Sequence, residues 1–267
     1  MGRGYSATAR VLAVTNQKGG VGKTTTAINL GTALTACGHR VLIIDLDPQA
    51  NATTGLGIDR GKRQTIYEVL IGRTQITDVV VDTAVPGLAI VPSSIALSAA
   101  EVELSSVPRS QYCLRESLRG LLSSYDDIII DCPPALGFLT VNALVAAHSV
   151  LVPLQSEFYA LEGLSHLIRT IELIRSKLNA SLELQGVVLT MYDARNKLSS
   201  LVEADARQHL GDVVYDTIIP RNIKLSEAPS HGKPVLLYDD RCVGSKAYLH
   251  LAQEMLTRDR RVVPVAS

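Results

Sequence analysis

The stretch Asn16–Gly31, NQKGGVGKTTTAINLG, constrains the fold more than any other part of the chain. It follows an apolar, β-rich run predicted as a strand over Val11 to Thr15. It opens a segment predicted as a helix from Lys23 to Cys37, with Gly38 at its end. The order strand, glycines, Lys-Thr, helix is the arrangement that holds phosphate. Backbone N–H groups released by the glycines, together with the positive end of the helix, point at one place. The usual pattern is G-x-x-x-x-G-K-[ST], and here Gln17 stands where the first glycine belongs. The loop also carries a second lysine, Lys18, ahead of Lys23.

The rest of the chain extends the pattern. RVLIIDLD, GLAIVPSS, DDIIIDCPP, HSVLVPLQ, LQGVVLTMY and VVYDTIIP read as further strands. Helices are predicted at Ile66 to Ile71, Ser110 to Ser123 and Ser245 to Leu256. Another spans Gly163 to Leu178, where Leu164, Leu167, Ile168, Ile171 and Ile174 form a core-facing stripe. Apolar strands alternating with helices predict an α/β fold: one P-loop domain whose mostly parallel, twisted sheet has helices on both faces. A length of 267 residues without a Pro/Gly/Ser-rich linker suits a single such domain.

Within that frame, Lys23 is placed to reach the β and γ phosphates of a nucleotide and the Thr24 hydroxyl to ligate Mg²⁺. The run Gly19, Gly20, Val21, Gly22, Lys23, Thr24 and Thr25 is the expected nucleotide cradle. An ordinary Gly-rich turn is the plainer alternative. Asp131 closes an apolar strand where P-loop ATPases hold the metal, although a strand-end aspartate also caps turns. Asp45 and Asp47, two apart, are expected to face one site from the end of the second strand. Two solvated turn residues ahead of Pro48 would look the same.

Composition narrows the partners. Lys+Arg and Asp+Glu are both 26, so any contact with nucleic acid or an anionic membrane needs a local patch. Cys37, Cys113, Cys132 and Cys242 form no C-x-x-C pair, which argues for free thiols in a reducing compartment and against a metal or cluster site. No apolar run reaches membrane-spanning length, and MGRGYSATAR lacks a signal-peptide core. The myristoylation-like start and the sequons at Asn51 and Asn179 are short enough to arise by chance.

KGGVGKTTTAINLG, LIIDLDPQANATTGLG, IIIDCPP and IPRNIKLSEAPSHGKPV together resemble the ParA family of chromosome- and plasmid-partitioning ATPases, relatives of MinD. The resemblance spans about Val11 to Leu256, making residues 1–10 an N-terminal extension and 257–267 a tail. It implies that Lys18 reaches across an ATP-sandwich homodimer to the partner's phosphates, a cation supplied in trans. A solvated loop lysine remains the alternative. The resemblance further implies that Asp47 positions the attacking water, Asp45 supports the metal shell and Gly19 permits close approach of two subunits. Pro220 and Asn222 fall where the family contacts adenine.

It also implies nonspecific binding of double-stranded DNA by the ATP dimer, with Arg195 and Arg221 as phosphate contacts and Lys197 and Lys224 nearby. From Asp193 to Lys246 eight basic residues face eight acidic ones, so such a patch must be made by folding, and solvated arginines are the alternative. With no Trp and 4% aromatics, stacking on single strands is disfavoured. A ParB-type centromere-binding partner, stimulated hydrolysis and a cytoplasmic, nucleoid-associated location complete the expectation. A MinD-like membrane role and a metabolic or redox enzyme, including an amide-forming ligase, are the competitors. The tail LTRDRRVVPVAS is broken by Pro264 and has no aromatic anchor for a membrane.

Overall fold

The computed structural model describes residues 8–59, 61, 63–157 and 160–262. β1 (Arg10–Val14) runs into the glycine loop and α1 (Lys23–Ala36). β2 (Val41–Asp45) is followed by two short helices, α2 (Asn51–Gly55) and α3 (Ile66–Leu70). β3 (Val81–Asp82) and β4 (Leu88–Val91) precede α4 (Leu97–Leu104) and α5 (Cys113–Leu118). The alternation continues through β5 (Asp127–Asp131), α6 (Phe138–Ala146), β6 (Ser149–Gln155), α7 (Ala160–Lys177) and β7 (Glu183–Thr190). The last part is helical: α8 (Lys197–Leu210), α9 (Ile223–Glu227), α10 (Val235–Tyr238) and α11 (Val243–Val262).

The strands form one sheet in the order β3-β4-β2-β5-β1-β6-β7, parallel except where β3 meets β4. All five residues of β2 and all five of β5 are buried, as expected of strands covered on both faces. Leu42, Ile44, Ile128 and Ile130 pack into the cluster that α5, α6 and α7 cover. Val41, Ile43 and Ile129 pack on the other face with residues of α1 and α11.

Register positions the functional edge. Asp131 of β5 lies opposite Asp45 of β2 on one side and Val14 of β1 on the other. Three neighbouring strands thus end together, and the glycine loop leaves the end of β1, next to β5. Ligands of open α/β sheets bind at this carboxyl edge.

Three expectations need correction. VVYDTIIP does not form a strand. It runs beside β7 with a single bridge, Val187 to Val214, and N–H bonds from Tyr215 to the Val187 carbonyl and from Ile219 to the Leu189 carbonyl. It then bridges Tyr192 to Pro220 beyond the end of β7. The cause is a side chain: Glu254 of α11 accepts the N–H groups of Asp216 and Thr217 at 2.9 and 2.8 Å, taking donors that a ladder would need. The segment packs close because Gly186 leaves room; a Cβ there would sit 2.5 Å from the Tyr215 ring. The helix predicted over Ser110 to Ser123 is a 3₁₀ turn, Ser110–Tyr112, followed by the shorter α5. Asp47 lies beyond β2, in the turn before α2, so it does not share a strand face with Asp45.

Arg10 and the stretch 257–262 are also more integrated than an extension over 1–10 and a tail over 257–267 suggest. Arg10 belongs to β1 and is ion-paired with both Asp127 and Asp259, while α11 continues to Val262. Residues 1–7 and 263–267, including Pro264, lie outside the described residues.

Candidate functional site

The glycine loop is shaped by left-handed backbone at Gly20 (φ +75°) and Gly22 (φ +86°), conformations that L side chains rarely adopt. Gly22 is the N-cap of α1, with no side chain capping the helix and no acidic residue in its first turn. Its first N–H groups and its positive end are therefore left to a ligand. Two residues that the motif does not include hold the loop in place. Asn16 accepts the Lys18 N–H at 3.1 Å and donates to the Pro153 carbonyl at 2.8 Å; the Thr190 hydroxyl donates to the Val21 carbonyl at 2.9 Å. Their signal in the sequence is slight, because each ties the loop to a strand distant in the chain, Asn16 to β6 and Thr190 from β7.

The two lysines differ in kind. Lys23 is 7% exposed, and its Nζ donates to the Lys18 carbonyl at 2.9 Å. Burial pushes its pKa down, while Asp131 and Asp47 act in the opposite sense. Lys18 projects outward and pairs with Glu157, both side chains being almost half exposed. Gly19 is not required by the fold for space: a Cβ there meets nothing within 4 Å.

The three aspartates are equally distinct. Asp45 Oδ2 accepts from the Thr53 N–H and hydroxyl, each at 2.7 Å, and Oδ1 accepts from the Asp47 N–H at 3.2 Å. Burial nevertheless outweighs these donors and pushes its pKa up to about 6. Asp45 thereby fixes the turn that presents Asp47, whose Oδ1 accepts from the Gln49 N–H at 2.9 Å. Asp131 is 0% exposed and neither of its oxygens has a hydrogen-bond partner. Desolvation first and Asp45 second raise its pKa well above the usual carboxylate range, against the helping influence of Thr24 and Lys23. A buried carboxyl left in this state fits a cation site. Among the described residues no three His, Cys, Asp or Glu side chains converge on a metal cage. That donor set suits Mg²⁺, which takes one or two protein oxygens and completes its shell with phosphates and water.

Beside the loop a cavity of about 470 Å³ is lined by Gly22, Thr25, Met191, Pro220, Asn222 and Tyr248, among others. Pro220 and Asn222 thus stand in the same pocket as the phosphate loop, large enough for a base and ribose. The Asn222 side-chain oxygen is engaged in capping α9, accepting from Lys224 N–H at 2.9 Å.

The four cations expected at DNA come together in part. The Arg221 N–H donates to the Tyr192 carbonyl at 2.9 Å, and the Tyr192 N–H donates to the Ile219 carbonyl at 3.1 Å. These bonds zip the segment before α9 to the turn after β7, where Arg195 sits. Arg195 is 90% exposed and paired with Asp193. Lys197 opens α8, and Lys224 pairs with Glu227 at 3.0 Å within α9. Cys132, beside Asp131, is buried and its thiol pKa is raised far above the ordinary value by burial, making it a packed thiol.

A parallel sheet with this loop at its carboxyl edge, buried aspartates in register and an adjoining base-sized cavity defines a P-loop nucleotide-binding protein. Comparison makes the class specific. A family described as an AAA domain matches residues 9–184. Chromosome partitioning protein ParA of Caulobacter vibrioides is 59% identical over 254 residues, covering 94% of this chain and 95% of that protein. Sporulation initiation inhibitor protein Soj of Bacillus subtilis is 49% identical over 92% of this chain and 98% of its own. Cobyrinic acid a,c-diamide synthase from Mycobacterium smegmatis, solved with a bound ATP analog and magnesium, superposes with a TM-score of 0.82. It is 38% identical over 94% of this chain and 96% of its own. The chain belongs to the ParA/Soj family of chromosome-partitioning ATPases.

Proposed function

We propose that the protein segregates DNA by an ATP-driven cycle of dimerisation, duplex binding and release. The nucleotide part of the reading rests on one observation: the partnerless, fully buried Asp131 carboxyl beside Thr24 and Lys23 at the mouth of the glycine loop. Lys23 and the amides of residues 19–25 would hold the phosphates, and Pro220 and Asn222 would border the base. Mg²⁺ would be held by the Thr24 hydroxyl and Asp131, with Asp45 behind them, and when bound would neutralise charge on the phosphate oxygens. Asp47, held by a turn rather than by a strand, orients the attacking water.

Lys18 acts on a second copy in this reading. Among the described residues its ammonium has only an exposed partner, Glu157, and a Cβ on Gly19 would meet nothing within 4 Å, which leaves it open to a close approach. Arg195, Arg221, Lys197 and Lys224 of each subunit then contact DNA phosphates without reading bases. Duplex binding by the ATP dimer would place the protein on the nucleoid in the cytoplasm, and a ParB-type protein would stimulate hydrolysis and release it. An amide-forming role like that in the name of the Mycobacterium smegmatis protein is the second reading; the higher identity to partitioning proteins over the same length favours the first.

The test is light scattering with and without ATP, on the wild type and Gly19→Val. The wild type should pair on ATP, whereas the variant should bind ATP and stay single, because its side chain occupies the meeting plane. Normal ATP-dependent pairing of Gly19→Val would remove the sandwich geometry.

A further inference from the structure

Asp193, in the turn between β7 and α8, has no place in the ATP chemistry, yet it fully engages Arg195. Its Oδ1 accepts from both the backbone N–H and the Nε of Arg195 at 3.0 Å, and its Oδ2 accepts from Nη2 at 2.9 Å. This is the two-pronged pairing in which a guanidinium fork meets two oxygens of one anion. Arg221 lies near enough for its charge to be felt: the Asp193 pKa is pushed down to about 2, by the Arg195 hydrogen bonds first and by the Arg221 charge last. The turn is fixed independently of the fork, since the Asn196 N–H donates to the Asp193 carbonyl at 2.9 Å and Asn196 caps α8.

A guanidinium fork fits a carboxylate and a phosphate with the same geometry. An Arg195 engaged by Asp193 therefore has its two strongest donor directions filled before any duplex arrives. We infer that Asp193 is an internal competitor for DNA phosphate, so that duplex binding requires the Arg195 fork to exchange the Asp193 carboxylate for a backbone phosphate. The inference rests on the reading of Arg195 as a DNA contact. In a single chain one such exchange returns little, because it trades one anion for another. In a dimer two exchanges occur on one duplex, so Asp193 sharpens the difference between the paired and single states.

The test is a double-mutant cycle in duplex affinity, measured with ATP at fixed salt. Asp193→Asn keeps the Oδ1 acceptor for the Arg195 N–H, and with it the turn, but removes the carboxylate from the fork. It should tighten duplex binding by roughly three- to tenfold per dimer, in keeping with the modest worth of an exposed ion pair, while nucleotide affinity stays at the wild-type value. The same change made on Arg195→Ala should give a clearly smaller gain, that of the lost negative charge alone, since there is no fork to release. Asp205→Asn, which removes an exposed α8 carboxylate paired with His209 instead, should give a smaller gain and separates fork release from loss of negative charge. Equal gains with and without Arg195, or no gain at all, would overturn the role of Asp193 while leaving the DNA reading standing. A wild type that fails to bind duplex with ATP, or an Arg195→Ala variant that binds as tightly as wild type, would remove the DNA assignment of Arg195 and the role of Asp193 together.

Discussion

The glycine loop and the Arg195–Arg221 cluster use charge in opposite ways. In the loop, charged groups are buried and underpartnered: Lys23 is 7% exposed and Asp131 is 0% exposed, with no hydrogen bond to its oxygens. In the cluster, charged groups stand in water and are paired, Arg195 to Asp193 and Lys224 to Glu227. Burial makes each unpaired group costly, so the loop favours one ligand of matching charge strongly. Exposure makes each pair cheap to exchange, so the cluster suits a long, uniform polyanion bound reversibly. Lys18 sits within the loop motif but belongs physically to the second kind, exposed and paired with Glu157.

The largest test of that contrast is Lys23→Ala. No other described cation reaches the loop mouth in the same way, so ATP affinity by fluorescent-nucleotide titration should fall at least a hundredfold, as for loss of a desolvated charge contact of about 3 kcal/mol or more. Arg195→Ala should leave that titration unchanged. Equal losses in the two variants would erase the distinction.

Asp47→Ala should bind ATP near the wild-type affinity and hydrolyse it roughly a hundredfold more slowly, the ordinary scale for losing a positioned carboxylate. Stimulated phosphate release is the readout. Normal turnover would reduce Asp47 to a residue that holds Gln49 and the turn.

Acid sharpens the comparison next. The native pKa of Asp45 is raised to about 6 from 3.8, so the native state binds the proton more tightly than the unfolded chain. Stability from this group is therefore present at low pH and lost as pH climbs between about 4 and 6, by at most about 3 kcal/mol. Asp131 acts in the same direction. The nucleotide-free protein should accordingly lose melting temperature from pH 5 to pH 7, and Mg²⁺ with ATP should recover it by favouring the ionised carboxylates. Asp193, held near 2, has the opposite sign, and its contribution fades only as pH falls below about 4. A Tm that rises steadily from pH 5 to pH 7 would show that Asp45 and Asp131 are charged without penalty.

How much of this the sequence reveals follows the same division. The loop, its helix and the strands β1, β2, β5 and β6 are legible because glycine conformation and continuous apolar runs are local signals. The facing of Asp45 and Asp131 depends on β2–β5 register, which no local pattern encodes. Asp45 and Asp47 look like two residues of one strand; the difference lies in Thr53, whose side chain draws Asp45 into organising the turn. VVYDTIIP has the composition of a strand, and only Glu254, 37 residues beyond Thr217, withdraws its donors. In the cluster, Arg195 and Arg221 are found by resemblance, but their meeting through Tyr192, and the carboxylate that engages Arg195, are tertiary facts.

The smallest expected effect concerns salt. If Arg195 and Arg221 each meet a backbone phosphate in an ATP-bound dimer, an alanine at either position removes two contacts per duplex. The log–log dependence of duplex affinity on salt should then flatten by roughly two units for each variant. The Asp193–Arg195 pair modifies this number. Where a carboxylate must leave the fork as phosphate enters, part of the charge neutralised on DNA is returned to Asp193, which is left exposed near the backbone. Arg195→Ala should therefore flatten the slope less than Arg221→Ala, and Asp193→Asn should move the wild-type slope the other way. Two unrelated duplexes should give the same slopes, since phosphate contacts carry no base information. An unchanged slope in both alanine variants would move the DNA surface away from the β7–α8 turn altogether. It would also leave the exposed cluster as solvated pairs.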